Sequence, residues 1–274
     1  MNDDLDFLLG LAVKAAQAGA AEVRTRFGNH GGETGKGHLD FATEADLRSE
    51  QAVREVLAAS GLPVTGEEYG ASGEAGSNLR WYVDPLCGTV NFARGIRFFS
   101  VNVGLCRAGV PALGVSIDPM TGELFTGVVG EGAVVLDAEG QPTRLDTTAN
   151  ASPLVEVDFQ HATPGVAAYQ TYRLPLLPAF AERYIPLRLG SSLAVSYVAA
   201  GRLGGFLHDG PDMDVHFAAH VAIVRAAGGV VVDAAGESWR VGATGLLAAP
   251  TIEAATHLLG LWRQSGSNPA GGEQ

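Results

Sequence analysis

Basic side chains are scarce in this chain: 18 Lys and Arg stand against 30 Asp and Glu, a formal charge of −12. No Lys/Arg cluster or basic helix supplies a local exception, so recognition of nucleic acid through its phosphates is not expected. Cysteine is scarcer still. Cys87 and Cys106 are the only two, too few for a disulfide framework and without the C-x-x-C spacing of a ribbon-type zinc site or redox pair. A reducing compartment suits such a chain. Any run of about 18 apolar residues, the length of a membrane span, is also missing. The opening MNDDLDFLLGLAVKAAQ carries acids where a secretory signal would carry Lys or Arg. The expectation is a cytoplasmic protein with no membrane partner. An acidic chain that handles an anion needs a local cation, which turns attention to carboxylates able to hold a metal.

Apolar material is ample, at 46% of 274 residues, enough for one large domain or two tightly joined subdomains. Asp4 to Phe27 and Glu44 to Ala59 carry helical spacing, separated by a Gly-rich loop from Gly28 to Gly37. From Leu79 to Leu136 short apolar runs (LRWYVDP, FFSVNVGLC, ALGVSI, ELFTGVV, GAVVLD) alternate with turn signals and predict a largely antiparallel sheet. The second half alternates strands (LVEVDF, YIPLRLG, GGFLHD, VVVD, LLAAP) with helices. The helices are a stretch near Gly165 to Tyr172, SSLAVSYVAAG, VHFAAHVAIVRAAGG and TIEAATHLLGLWRQ. Ser191 or Ser192 is the expected N-cap and Gly228-Gly229 the expected helix stop. This pattern predicts a layered α/β fold. The subdomains are expected at residues 1–148 and 149–264, followed by a disordered tail at 265–274.

Three segments set acids beside loops: Asp40-Phe-Ala-Thr43-Glu-Ala-Asp46, Gly66-Glu67-Glu68, and Trp81-Tyr-Val-Asp84-Pro-Leu-Cys87-Gly88-Thr89-Val-Asn91-Phe92. Each has a plain reading. The first fits a helix cap with first-turn acids, the second a solvated pair, the third a turn. Each also has a chemical one. Asp84 ends an apolar run, so its carboxylate emerges at a strand end, and Gly88-Thr89 allows a tight turn whose N–H groups face an anion. No G-x-S-x-G elbow, Walker loop or dinucleotide fingerprint competes.

In order and spacing these segments resemble the signature of the inositol monophosphatase family: an acid-x-x-Thr-x-x-Asp, a Gly-Glu-Glu, then Trp-x-x-Asp-Pro-x-Asp-Gly-Thr-x-Asn-Phe. The resemblance runs from the first helix to the last. It implies an αβαβα sandwich, a homodimer, and Mg²⁺-dependent hydrolysis of a small phosphate monoester by an activated water. Carried over residue by residue, Glu67, Asp84, the Leu86 carbonyl and the Thr89 hydroxyl bind metal. Asp46 and Thr89, with Glu67, act on the water, and the Gly88 and Thr89 amides hold phosphate. Asp209 accepts hydrogen bonds from a polyol, sugar or nucleotide substrate, unless it is a solvated loop acid.

The chain departs from this pattern twice. Cys87 stands where the family has a metal-binding Asp. A gapless count back from Ala227-Gly228-Gly229 puts His216 on the family's distant Asp ligand. Three readings follow. A two-residue register shift makes Asp214 the ligand. Alternatively Cys87 and His216, with His220 one turn along, form a softer site for Zn²⁺ or another transition metal, with Mn²⁺ also an alternative to Mg²⁺. In the third, the second site is lost and the protein binds a phosphorylated ligand with little or no turnover.

Overall fold

The computed structural model describes residues 4–29, 32–37, 40–74, 76–149, 152–158, 171–211 and 213–266. The chain enters through helix α1 (Leu5–Arg26), started by the Asp4 carboxylate accepting the Phe7 N–H at 3.0 Å. Its inward side carries Leu8, Leu11, Ala12, Ala15, Ala16 and Val23. Part of the expected Gly-rich loop is instead an antiparallel hairpin, β1 (Glu33–Gly37) on β2 (Asp40–Thr43). A ladder needs only backbone groups, so glycines pair readily once β2 is held by the helix it feeds. That helix, α2 (Glu44–Leu57), packs along α1.

The chain then lays down β3 (Val64–Gly66), β4 (Gly70–Ser72), β5 (Leu79–Cys87), the short helix α3 (Thr89–Ala93), β6 (Ser100–Arg107), β7 (Val110–Ile117), β8 (Leu124–Val128), β9 (Gly132–Leu136) and β10 (Pro142–Arg144). These strands form one eight-stranded sheet in the order β10-β9-β8-β7-β6-β5-β3-β4. Every pairing is antiparallel except β3 with β5.

The remaining elements are β11 (Leu154–Asp158), α4 (Pro178–Ala181), β12 (Ile185–Leu187), α5 (Leu193–Ala199), β13 (Gly205–His208), α6 (Asp214–Ala226), β14 (Val230–Val232), β15 (Leu246–Ala249) and α7 (Ile252–Gly266). The second sheet runs β12-β11-β13-β15-β14. The helical stretch expected from Gly165 lies, up to residue 170, outside the described residues, and Thr171–Leu176 is a short 3₁₀ turn. Residues 265 and 266, expected in the tail, belong to α7. Leu261, Trp262 and Ser265 keep one face of α7 buried, so the helix persists through Gly266; residues 267–274 lie outside the description.

Five layers result: α1 with α2, the eight-stranded sheet, α5 with α6, the five-stranded sheet, and α7. This is the expected αβαβα sandwich. Three large clusters of buried side chains fill its interfaces, including Trp81, Val103 and Leu113, then Phe206, Phe217 and Trp239, then Leu247, Leu258 and Trp262, with a small fourth of Tyr82, Cys106 and Ala218.

One feature of the sheet decides where α6 lies. Gly104, Gly114 and Gly127 stand side by side across β6, β7 and β8. A Cβ on Gly104 would sit 2.6 Å from the Ala219 nitrogen, one on Gly127 2.7 Å from the Ile223 Cα, and one on Gly114 would overlap the Ala219 carbonyl. The bare row lets α6 rest its backbone against the sheet, with Phe217 to Val224 all buried. Gly228 (φ +92°) ends the helix as expected, and the Gly229 N–H returns to the Val224 carbonyl at 2.9 Å.

Candidate metal and phosphate site

At the end of β5 the pairing with β6 slips between Asp84 and Cys87. Such an irregularity bends a strand and re-aims its side chains. The Leu86 N–H donates to Asp84 Oδ1 at 3.1 Å, and Ser49 of α2 donates to the Pro85 carbonyl at 2.7 Å, fixing the bend. Asp84 is fully buried. Gly88 follows with φ +103°, and a Cβ there would lie 3.1 Å from the Phe98 carbonyl oxygen and 3.2 Å from the Ser191 Cβ. Only glycine combines that conformation with that space.

Thr89 opens α3, its hydroxyl 3.0 Å from Asp46 Oδ1 and 3.1 Å from the Leu86 carbonyl oxygen. The other oxygen of Asp46, Oδ2, accepts from the Thr43 N–H at 2.7 Å and the Thr43 hydroxyl at 2.6 Å, closing a capping box on α2. One oxygen of Asp46 thus serves the cap while the other meets the Thr89 hydroxyl. Glu67 is tied in through its N–H to the Val83 carbonyl at 3.2 Å. Its loop is held from below by Glu50, fully buried, which accepts from the N–H groups of Glu68 at 2.6 Å and Tyr69 at 3.2 Å and from Arg54 at 2.7 Å. Gly66 is required here, since a Cβ would overlap the Glu50 carboxylate.

The structure brings His216, and not Asp214, beside Asp84 and Cys87. His216, on the first turn of α6, sets Nδ1 2.5 Å from Asp84 Oδ2. Asp84, Cys87 and His216 bring one oxygen, one sulfur and one nitrogen within 4.8 Å of one another. Asp214 is not part of this group. Two residues earlier on the helix it faces elsewhere, and its Oδ1 accepts from the Gly242 N–H at 2.8 Å. His220 does not join either: its Nε2 lies 2.9 Å from Ser192 Oγ and its Nδ1 2.8 Å from Ser196 Oγ. Ser192 Oγ also accepts from Asn102 Nδ2 at 3.1 Å, so Ser192 links His220 to Asn102. This engagement is why Ser192 makes no side-chain cap on α5. Burial pushes His220 down to about 3, in keeping with a neutral ring. Ser192 in turn aims its backbone N–H at Cys87 Sγ, 3.1 Å away, and Ser191 donates to the Cys87 carbonyl at 2.8 Å.

Burial alone would raise Asp84, but the charge and hydrogen bond of His216, with hydrogen bonds to Cys87 and Glu67, hold it below the usual carboxylate range. The same pairing works on His216 against its own burial and holds it well above its usual value. Burial, and then the Asp84 charge, push Cys87 up to about 11. These shifts favour opposite charges on Asp84 and His216 and a neutral thiol at Cys87.

Asp209 follows β13. Its Oδ2 accepts from the Thr171 N–H at 2.8 Å, and its buried Oδ1 has no partner among the described residues. It is not a solvated loop acid. The structure ties it to Thr171 rather than to the cluster on β5 and α6. Sequence reasoning passed over Glu50 and Asn102, took Ser191 only as a cap and gave no role to Asn91, yet all four brace the site; Asn91 Nδ2 donates to the carbonyls of Leu189 at 2.7 Å and Phe98 at 2.9 Å.

The donor chemistry divides in two. Glu67, Asp84, the Leu86 carbonyl and the Thr89 hydroxyl are all oxygens and fit Mg²⁺. Cys87 and His216 do not, because Mg²⁺ disfavours sulfur.

Fold and donor set define a class, the metal-dependent phosphoric monoester hydrolases. The model of the inositol monophosphatase family matches residues 4–267, and the chain belongs to that family. It is 35% identical over 223 residues to the probable inositol 1-monophosphatase ImpA of Mycobacterium tuberculosis, covering 77% of this chain and 78% of that one. It is 38% identical over 218 residues to the inositol-1-monophosphatase ImpA of Mycolicibacterium smegmatis, covering 77% and 76%. Among solved structures, the extragenic suppressor protein suhB from Bartonella henselae matches with a TM-score of 0.81 at 27% identity, over 95% of this chain and 99% of that chain. No helix among the described residues is long and apolar enough to cross a membrane.

Proposed function

We propose that this chain hydrolyses a small polyol, sugar or nucleotide monophosphate. The observation that carries the reading is the hydroxyl of Thr89, 3.0 Å from Asp46 and 3.1 Å from the Leu86 carbonyl, just after the strand end that carries the buried Asp84. By donating to Asp46, Thr89 turns its lone pairs outward to accept a hydrogen from a water. Asp46, anchored through its second oxygen, keeps that hydroxyl in place. Glu67 and Asp84, with the Leu86 carbonyl and Thr89, would hold Mg²⁺ or Mn²⁺. Bound there, the ion supplies positive charge against the oxygens of the transferring phosphoryl group. The N–H groups of Gly88 and Thr89 would donate to phosphate oxygens, and Asp209 would accept from a substrate hydroxyl.

The test is phosphate release from sugar, inositol and nucleotide monoesters by metal-stripped protein, titrated separately with Mg²⁺, Mn²⁺ and Zn²⁺. Turnover that disappears in Asp84→Ala supports the reading; silence with every ester and every ion overturns it. A second reading, a family member that binds a phosphorylated ligand without turnover, is favoured by one observation: Asp84 and His216 are bonded directly to each other. It predicts that same silence together with retained ligand binding.

A further inference from the structure

We propose that Asp84, Cys87 and His216 form a binding site selective for one Zn²⁺-like transition ion over Mg²⁺, beside the all-oxygen site and sharing Asp84 with it. The inference rests on the reading of this cluster as part of a metal site, and it concerns which metal this chain's own residues select. The three donor atoms lie within 4.8 Å of one another. One carboxylate oxygen, one thiolate and one imidazole are a tetrahedral Zn²⁺ set with the fourth position left for water or substrate. An octahedral Mg²⁺, which keeps hard oxygen ligands, gains nothing from the sulfur and little from the ring.

The surroundings are built for that sulfur. The Ser192 N–H points at Sγ from 3.1 Å, the kind of donor that stabilises a thiolate. Ser192 itself is fixed by His220, which is held in turn by Ser196, and by Asn102, whose Oδ1 accepts from Ser116 at 2.8 Å. Entry of the ion sends the Cys87 thiol proton and the proton between His216 and Asp84 to solvent. A 2+ ion then meets a carboxylate, a thiolate and a neutral imidazole, and the charges cancel. Such outer-shell bonds orient ligands and raise affinity.

The experiment titrates metal-stripped full-length protein with Co²⁺ and with Zn²⁺, in the presence and absence of millimolar Mg²⁺. It follows the thiolate-to-cobalt charge-transfer band and, with a chromophoric chelator in competition, Zn²⁺ stoichiometry and affinity. The expected result is one equivalent of Zn²⁺ bound tighter than about 1 µM, not displaced by Mg²⁺, and an intense thiolate band in the Co²⁺ form. Cys87→Asp and His216→Asp, which insert the acids seen in the family's pattern and so are compatible with the fold, should each weaken Zn²⁺ by more than the roughly 10–100-fold that loss of an outer-shell partner costs. Cys87→Asp should also abolish the band. A Co²⁺ spectrum without the band in the unaltered protein, displacement of Zn²⁺ by Mg²⁺, or unweakened Zn²⁺ binding in folded variants would each overturn the site. The phosphatase reading fails separately. A thiolate band without phosphate release leaves the site standing, whereas Mg²⁺-supported release without a band leaves only the phosphatase.

Discussion

Nδ1 of His216 and Oδ2 of Asp84 meet at 2.5 Å across 132 residues of sequence. The contact exists because the glycine row on β6, β7 and β8 seats α6, while the bulged end of β5 turns Asp84 toward the first turn of that helix. The two partners are not equivalent. Asp84 is fully buried, whereas the His216 side chain retains 22% of its exposure.

That difference sets the order of stability loss in metal-free protein. His216→Ala strands a carboxylate away from water and should cost about 3–5 kcal/mol, the range for breaking a buried pair. Asp84→Ala strands an imidazole that can release its proton and reach solvent, so it should cost less, about 1–2 kcal/mol. Activity should follow the opposite order, with Asp84→Ala losing about 1000-fold or more in kcat/KM because both donor sets share it. Urea unfolding and phosphate release on the two variants check this. Greater destabilisation by Asp84→Ala would refute the asymmetry.

Glu50 makes no contact with substrate in this reading, yet it holds the Glu67 loop by its bonds to the Glu68 and Tyr69 N–H groups and to Arg54. Glu50→Gln keeps the shape and removes the charge. It should destabilise by about 2 kcal/mol, since bonds to a charged group are worth roughly 1.5–3 kcal/mol each and only part of that is lost. The metal concentration for half-maximal activity should rise about tenfold while kcat at saturating metal stays near that of the unaltered protein. A fall in kcat with unchanged metal dependence would show that Glu50 acts otherwise.

The contiguous motifs made Asp46, Glu67, Asp84, Leu86, Cys87 and Thr89 legible in the sequence, because each motif is one strand end or one turn and its members are close wherever the strand goes. His216 could be placed by counting from the helix stop, though not told apart from Asp214 until the seat of α6 was known. Glu50, Asn102, Ser192 and the role of His220 were not legible. Their meaning depends on which residues stand opposite one another, such as Asp84 opposite Asn102 and Asn102 opposite Ser116, and strand register is a tertiary fact. The glycine row did leave a signal. A glycine inside each of three successive apolar strands marks close backbone approach, and it lies in plain view in FFSVNVGLC, ALGVSI and ELFTGVV.

The row can be tested against a glycine that has room. Gly114→Ala would drive a methyl group into the Ala219 carbonyl, forcing α6 off the sheet at a cost of about 3 kcal/mol or more and moving His216 with it. Gly10→Ala, exposed in the middle of α1 with nothing within 4 Å, should stabilise by about 0.5–1 kcal/mol through helix propensity alone. Thermal unfolding of both variants reads the contrast. Loss of the thiolate band in Gly114→Ala but not in Gly10→Ala would tie the row to the site, and an unchanged melting point for Gly114→Ala would refute the seat.

Glu156 lies fully buried on β11, its Oε1 accepting from the Leu189 N–H at 2.6 Å at the start of the loop that carries Ser191 and Ser192. Its Oε2 has no partner among the described residues. Burial, reinforced by Asp158 and opposed by the Leu189 and Gly190 N–H groups and Arg188, pushes it from 4.5 up to about 7. An acid raised on folding binds its proton more tightly in the folded state, so stability falls as pH rises. The loss begins near the unfolded value, about 4.5, and is complete above about 7, with a full size on the order of 3 kcal/mol. Glu156→Gln cannot titrate, and its Nε2 stands where the protonated acid has an equally unpartnered O–H, so it should match that acid to within about 1 kcal/mol. In metal-free protein the variant should therefore be close in stability to the unaltered chain at pH 5 and more stable at pH 8, as read by urea unfolding at intervals between. Groups common to both proteins cancel in that difference, and a gap that stays constant across the range would show that Glu156 is not protonated in the fold.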